Sequence, residues 1–198
     1  MLFPKTPNQI LYVKKLLSMR KPIVVAAGPA GCGKTLFACQ AAAQKLISNQ
    51  IDKIIVTRPA VSADEDLGFL PGKLEKKMDP WVRPMFEIFE KERVQRSVEI
   101  VPLAYMRGRT FKNSFIIADE MQNSTPNQMK MVMTRIGDDS NMVVTGDLEQ
   151  SDLHYKTNGL QDLFFRLSDK ELEYIDNIIF TNEDIQRHPA VIEVLNMY

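Results

Sequence analysis

Residues 23–35 read Ile23-Val24-Val25-Ala26-Ala27-Gly28-Pro29-Ala30-Gly31-Cys32-Gly33-Lys34-Thr35, and they carry the strongest fold signal in the chain. Its last eight residues match the phosphate-binding loop pattern G-x-x-x-x-G-K-[ST]. A short apolar run precedes the loop and an alanine-rich stretch, 34–48, follows it, which predicts a strand, a loop and a helix in that order. Because the motif binds phosphate in this structural context, we predict a nucleotide site at Gly28–Thr35.

The chemistry of the loop follows from its residue types. Glycines let successive backbone N–H groups point inward, and the N-terminus of the following helix adds the positive end of its dipole. We expect Lys34 to reach the β- and γ-phosphates of ATP and Thr35 to bind Mg²⁺ through its hydroxyl. Cys32 occupies a variable position of the motif, and we interpret it as a filler residue in preference to a redox residue.

The rest of the chain repeats the alternation of strand and helix. Amphipathic or alanine-rich segments predict helices over 6–19, 34–48 and about 72–96, and apolar runs predict strands at 23–27, 54–56, 98–101, 115–118, 141–145 and 174–180. Near-continuous apolar strands separated by helices are typical of a sheet covered on both faces. We therefore predict an α/β fold, a three-layer sandwich with a mostly parallel central sheet, in one domain spanning residues 1–198.

Composition sets limits on location and ligands. The chain has 25 Lys and Arg and 25 Asp and Glu, so its formal charge is zero and any basic groove must be local. No apolar run reaches the roughly 18 residues of a membrane span, and we expect a cytoplasmic protein without a membrane partner. The two cysteines and two histidines lack the spacing of a zinc or haem site.

A second motif supplies carboxylates. The run Phe115-Ile116-Ile117-Ala118 predicts a buried strand that delivers Asp119 and Glu120 at the carboxyl edge of the sheet. A phosphate loop needs such a partner to hold the metal and orient water. We expect Asp119 to bind Mg²⁺ and Glu120 to act as the general base, the alternative being a surface acidic pair at a strand end.

A third apolar run, 142–145, leads into the polar turn Gly146-Asp147-Leu148-Glu149-Gln150. A strand that ends beside the phosphate loop can place an amide against the terminal phosphate. We predict that Gln150 bonds the γ-phosphate and the attacking water. Alone this signal is weak, because Gly-Asp turns after strands are common.

Taken in order, GPAGCGKT (28–35), TRPAV (57–61), LGFLPG (67–72), PLAYMRGRT (102–110), IIADEMQN (116–123), TRIG (134–137), VVTGDLEQ (143–150) and RHP (187–189) resemble the PhoH family of P-loop ATPases. The resemblance implies a RecA-like P-loop NTPase core similar to that of superfamily 1 helicases. It also implies ATP hydrolysis, a homo-oligomer such as a hexameric ring, and a link to RNA.

The resemblance also assigns roles to single residues. Asn8 and Gln9 resemble the helicase glutamine motif that reads adenine, with an ordinary helix start as the alternative. Arg58 resembles an element that touches the nucleic-acid backbone, or else forms a structural ion pair. Gln122 resembles the glutamine that couples the nucleotide to the third motif. Arg187 has the right type for an arginine finger or sensor, in cis or in trans.

Two further groups remain open between function and structure. Arg107 and Arg109 form a basic loop that contacts phosphates or is simply solvated. An aromatic and basic mixture is compatible with single-strand stacking, but packing or a subunit interface is favoured; it comprises Phe69, Leu70 and Trp81 with lysines 73, 76 and 77.

These features favour an oligomeric, Mg²⁺-dependent ATPase, a helicase- or translocase-like motor on RNA or single-stranded nucleic acid. The alternative is an ATP-dependent regulatory or assembly module that signals to a protein partner without unwinding. A small-molecule kinase is disfavoured, since the sequence shows no obvious substrate lid or acceptor-binding block.

Overall fold

The computed structural model describes residues 3–18, 20–59, 74–150, 157–168, 170–188, 190, 191, 193 and 197, and within 74–81 it describes the backbone alone. The predicted aromatic and basic mixture around Phe69, Leu70 and Trp81 lies outside the residues whose side chains are described.

The described chain alternates between helices and strands, as the sequence predicts. The helices are α1 (Pro7–Ser18), α2 (Lys34–Ile47), α3 (Leu74–Lys91), α4 (Pro126–Met133) and α5 (Gly159–Leu167). The strands are β1 (Ile23–Ala27), β2 (Lys53–Thr57), β3 (Val98–Ile100), β4 (Ser114–Ala118), β5 (Asn141–Gly146) and β6 (Ile175–Ile179).

The six described strands form one sheet in the order β3-β2-β4-β5-β1-β6, and every neighbouring pair is parallel. All five residues of β1 and of β4 are buried, which is why these strands read as continuous apolar runs. Because β5 lies between β1 and β4, the carboxyl ends of these three strands meet at one edge of the sheet.

Helices cover both faces of this sheet. One apolar core contains Tyr12 of α1, Phe37 of α2 and Phe89 of α3, and it packs against one face. The other core contains Met129 of α4 and Leu163 of α5 and packs against the opposite face. The predicted three-layer α/β sandwich is therefore confirmed.

Two details differ from the sequence prediction. The helix predicted to run to about residue 96 ends at Lys91, because Arg93 turns the chain with a positive φ of 60°. Helices α4 and α5 belong to segments that were not assigned from the sequence. Among the described helices, none combines the length and apolar character that crossing a bilayer requires.

Candidate functional site

The loop after β1 is built on glycines with positive φ. Gly31 and Gly33 both have a φ of 90°, in the left-handed region that side chains disfavour. Gly33 caps α2, and no described side chain caps that helix, whereas Thr125 and Asn158 cap α4 and α5 through their side chains. The first N–H groups of α2 are thus left for an anion, as the motif requires.

Lys34 and Thr35 open α2 and point their polar atoms at two different partners. The Lys34 Nζ donates to the carbonyl oxygens of Gly28, at 2.6 Å, and Pro29, at 2.9 Å, which holds the ammonium within the loop. The Thr35 hydroxyl donates to Asp119 Oδ1 at 2.7 Å. The loop and the end of β4 are therefore in direct contact.

Asp119 is the centre of this contact. It is buried, and its Oδ1 atom also accepts a hydrogen bond from the Thr145 hydroxyl of β5 at 2.5 Å. Hydroxyl and carboxylate oxygens are the ligands that Mg²⁺ takes from proteins, and Mg²⁺ characteristically combines one or two carboxylates with substrate phosphates. The donor set of Thr35 and Asp119, beside an anion-binding loop, fits this ion.

Glu120 follows Asp119 but occupies a different environment. Its φ of 53° is left-handed, so the chain turns sharply and separates the two carboxylates. Glu120 Oε2 accepts from Gln122 Nε2 at 2.5 Å, and Glu120 Oε1 lies 3.6 Å from Arg58 Nη2. Gln122 Oε1 in turn accepts the backbone N–H of Asp147 at 3.1 Å. Gln122 thus links Glu120 to the turn after β5, as the family resemblance implies.

The structure places Gln150 and Arg187 differently with respect to the loop. Gln150 is exposed, three residues beyond Asp147, and its predicted contact with the γ-phosphate stays a prediction. Arg187 lies over the loop of its own chain, because a Cβ added at Gly31 would come within 2.6 Å of Arg187 Nε. The backbone N–H of Gln186 donates to Gly31 O at 3.0 Å and holds this segment in place. Arg187 therefore reaches the loop in cis.

Helix α1 braces the loop through two buried side chains. Gln9 Nε2 donates to Cys32 O at 3.1 Å, and the Tyr12 hydroxyl donates to Lys34 O at 3.1 Å. Asn8 lies near the loop but donates to Asp184 Oδ2 at 2.8 Å. The two residues predicted to read adenine thus have protein partners, and their adenine contact stays a prediction.

The two arginines of the basic loop have different surroundings. Arg109 donates to Glu99 at 2.7 Å and lies 4.6 Å from the centre of the Phe111 ring. Arg107 is exposed. Arg109 therefore stabilises its own loop, and the phosphate contact of Arg107 stays a prediction.

Cys32 is fully buried in the loop, and burial raises the pKa of its thiol above the ordinary value of 9.0. Lys34 opposes this rise without cancelling it. A thiol with a raised pKa is protonated at neutral pH and is a poor nucleophile. This agrees with the interpretation of Cys32 as a filler residue.

Asp184 ties the segment after β6 to α1. Burial raises the pKa of Asp184, but hydrogen bonds from Asn8 and Thr6 outweigh burial and hold the pKa below the ordinary value of 3.8. A carboxylate with a lowered pKa stabilises the fold above its unfolded-state pKa, and this contribution is lost as the pH falls through the folded-state pKa. Asp184 is only 2% exposed, so this contribution is weakly screened by water.

We expect Asp184→Asn to lower the free energy of unfolding by about 1–3 kcal/mol at pH 7, the scale of buried hydrogen bonds to a charged group. The difference from the wild type should begin to shrink as the pH falls below the unfolded-state pKa of 3.8, and it should vanish only below the lower pKa that Asp184 has in the folded protein. Urea unfolding measured between pH 7 and pH 3 tests this, with the exposed Asp52→Asn as the control. A difference that stays constant over this range would contradict the assignment.

Sequence reasoning missed three residues of the site, namely Thr145, Tyr12 and Asp184. Thr145 is the polar residue at the end of the apolar run of β5, and a parallel sheet brings that end beside Asp119. Tyr12 lies three residues after Gln9, on the same side of α1. Asp184 ends a local capping-box pattern that starts at Thr181, but its side-chain partners Thr6 and Asn8 lie more than 170 residues away.

Comparison with known proteins identifies the family and the fold of this chain. The family model described as PhoH-like protein matches residues 1–198. A PhoH-like protein of Synechocystis sp. is 44% identical over 98% of this chain and 61% of its own length. Protein PhoH of Escherichia coli is 41% identical over 96% of this chain and 56% of its own length. The chain thus spans roughly three fifths of the curated relatives it matches.

Among solved structures, the Pif1 helicase of Candida albicans aligns with the whole of this chain and with 43% of its own, at a TM-score of 0.50 and 14% identity. A match at such low sequence identity shows the fold alone. That fold is a helicase-type, RecA-like P-loop domain. Since the family model matches every residue, the chain belongs to the PhoH-like protein family and has the fold of a P-loop NTPase.

Proposed function

We propose that the loop Gly28–Thr35 binds ATP with Mg²⁺ and that Glu120 promotes its hydrolysis. The observation that carries this proposal is the hydrogen bond from Thr35 to Asp119, which joins the phosphate loop to a buried carboxylate. Glu120 follows that carboxylate directly and is turned away from it by its positive φ. Asp119 is thus suited to bind the metal, and Glu120 is suited to accept a proton from the attacking water.

The residues divide the reaction between them. The free N–H groups at the start of α2 and the Lys34 ammonium hold the phosphates. Asp119 and Thr35 would hold Mg²⁺, which would supply positive charge to offset that of the phosphates. Glu120 accepts a proton from the attacking water while the water oxygen bonds to the γ-phosphorus. The bond from that phosphorus to the bridging oxygen breaks, giving ADP and phosphate.

Gln122 supports the choice of Glu120 as the base. Its amide donates to Glu120 and accepts from the backbone of Asp147, so the carboxylate and the turn after β5 move together. Gly146 leaves no room for a side chain here, because an added Cβ would lie 2.5 Å from Gln122 Oε1. A γ-phosphate that contacts this turn would then affect the position of the Glu120 carboxylate through Gln122.

We further propose that hydrolysis acts on RNA or single-stranded nucleic acid and that the chain works as a homo-oligomer such as a hexameric ring. Family membership supports the first part, and Arg58 provides a route by which nucleic acid reaches the catalytic site. The Arg58 and Glu120 side chains are 26% and 35% exposed, and ion pairs of this exposure contribute about 0–1 kcal/mol. A phosphate of the nucleic acid can therefore compete with Glu120 for Arg58.

The test is phosphate release from MgATP with and without single-stranded RNA at low salt. We expect RNA to accelerate release, and we expect Arg58→Ala to weaken both RNA binding and this acceleration. Loss of one phosphate contact should also reduce the slope of log K against log salt concentration by about 1. The matched control is Arg96→Ala. Arg96 is an exposed arginine just before β3, so it lies at the amino ends of the parallel strands, whereas Arg58 lies at their carboxyl ends.

If ATP turnover ignores RNA and DNA at low salt, the nucleic-acid function is wrong and a nucleotide-dependent regulatory module remains. If Arg58→Ala and Arg96→Ala reduce the acceleration equally, Arg58 has no special role. Native mass measured with and without ATP reports the subunit number independently of turnover.

A further inference from the structure

The Asp119 carboxylate is a buried charge that only hydroxyl groups support. The residue is 3% exposed, and no lysine or arginine of the described ranges forms an ion pair with it. Its side chain accepts two hydrogen bonds, one from Thr35 and one from Thr145. Buried charges in proteins are paired or bind metals. Two neutral donors orient this carboxylate without neutralising it, so its charge stays available to a cation.

Both hydrogen bonds end on the same oxygen of Asp119. Thr35 donates to Oδ1 at 2.7 Å and Thr145 donates to Oδ1 at 2.5 Å. A carboxylate has about four lone-pair sites on two oxygens, so two hydroxyl donors use those of Oδ1. Oδ2 is therefore the oxygen that remains for a metal ion or for one of its waters.

The two threonines differ in what else their hydroxyls can do. Thr35 is partly exposed at the start of α2, and a hydroxyl that gives its one hydrogen to Asp119 keeps its lone pairs for a metal. Thr145 is completely buried in β5. Thr35 can thus be a ligand, whereas Thr145 can only hold the ligand Asp119.

The register of the sheet brings Thr145 to Asp119. Ala118 of β4 pairs with Val144 of β5, and both belong to the core that contains α4 and α5. Asp119 extends this pairing of strands, because its N–H donates to Thr57 O at 3.0 Å. Successive side chains of a strand point to opposite faces, so Asp119 and Thr145 both turn to the face that α2 covers.

We propose that Thr145 is a positioning residue of the metal site, whose hydroxyl fixes the Asp119 carboxylate with Oδ1 on the threonines and Oδ2 toward Mg²⁺. This inference rests on the proposed nucleotide site and adds a residue that does not touch the ion. Loss of a partner that orients a metal ligand typically costs 10–100-fold in metal affinity or activity. Thr145 therefore sets how strongly Mg²⁺ promotes ATP binding, and it adds nothing to the affinity for metal-free ATP.

The support of Glu120 does not depend on the Thr145 side chain. Glu120 is held by Gln122, and Gln122 accepts the backbone N–H of Asp147, two residues after Thr145. Removing the Thr145 hydroxyl should therefore raise the Mg²⁺ concentration that turnover requires. At saturating Mg²⁺ the turnover number should approach that of the wild type.

The test measures equilibrium binding of a non-hydrolysable ATP analogue in EDTA and over a series of Mg²⁺ concentrations. We expect Mg²⁺ to raise the affinity of the wild-type protein for the analogue. Thr145→Val exchanges the hydroxyl for a methyl group and should reduce this gain by roughly tenfold or more, with unchanged affinity in EDTA. Thr145→Ser keeps the hydroxyl and should retain the gain.

Thr57→Val is the matched control. Thr57 is equally buried at the end of β2, the strand beside β4, and its hydroxyl has no hydrogen-bond partner in the described part of the chain. This variant loses the same group from the same layer of the sheet and should respond to Mg²⁺ as the wild type does. If Thr145→Val does not fold, Thr145→Ser and Thr145→Ala give the same comparison, because they differ only in the hydroxyl.

The proposal is overturned if Thr145→Val weakens binding equally in EDTA and in Mg²⁺, since a residue that only supports the loop would act in that way. It is also overturned if Thr145→Val keeps the full Mg²⁺ gain, or if Thr145→Ser loses as much of it as Thr145→Val. These results leave the nucleotide site standing. If the wild-type protein does not bind the analogue, or if Mg²⁺ does not raise its affinity, the proposed ATP and Mg²⁺ site is wrong and this inference fails with it.

Discussion

Replacing Glu120 with glutamine is expected to slow ATP hydrolysis by at least about a hundredfold, the lower end of the range for general-base catalysis. Glutamine has nearly the same shape but cannot accept the proton of the attacking water. ATP binding should stay close to the wild-type value, because Glu120 contacts Gln122 and Arg58 and not the phosphate loop. Single-turnover phosphate release and equilibrium binding separate the two effects.

The matched control is Glu90→Gln on α3, a half-exposed glutamate that lies 3.9 Å from Arg83. It changes the same charge away from the loop and should leave turnover unchanged. Normal turnover in the Glu120 variant would show that another group is the base. Loss of ATP binding in that variant would show that Glu120 acts before the chemical step.

The core of the fold was predictable because its signals are local. The apolar run, the glycine loop and the alanine-rich helix stand together in residues 23–47, and the structure has β1, the loop and α2 there. Asp119 was predictable because a buried parallel strand ends immediately before it. In a parallel sheet the carboxyl ends of the strands share one edge, so two such motifs meet without any long-range information.

Helices α4 and α5 were missed because their apolar patterns are too short to show a helical period. They have 8 and 9 residues, about two turns each. Their starts carry a signal that was not used: Thr125 and Gln128 form a capping box, and so do Asn158 and Gln161. A search of the sequence for capping boxes, in addition to hydrophobic periodicity, would have located both helices.

The remaining site contacts depend on packing between distant segments. Arg187 reaches Gly31 because the segment after β6 returns over the loop, and the sequence gives no sign of that path. The sequence left Arg109 open between a phosphate contact and a solvated loop, and in the structure it pairs with Glu99 of the preceding strand. Residue type predicts what such a side chain can do, and only the fold decides which partner it finds.

Replacing Lys34 with alanine is expected to weaken MgATP binding by roughly a hundredfold, since hydrogen bonds from a charged group contribute about 1.5–3 kcal/mol each. The ammonium is already held within the loop by the carbonyl oxygens of Gly28 and Pro29, so little reorganisation is needed to bring it to a phosphate. Turnover at limiting ATP should fall at least as much. Equilibrium binding of ATP, ADP and tripolyphosphate measures the loss.

ADP should lose less affinity than ATP, because the lysine is expected to reach the γ-phosphate that ADP lacks. Lys34→Met separates charge from packing: it keeps the aliphatic stem and should bind ATP as poorly as the alanine variant. Lys130→Ala removes an exposed lysine from α4, on the opposite face of the sheet, and should bind normally. If Lys34→Met restores wild-type affinity, packing and not charge holds the phosphates, and the loop does not work as its sequence predicts.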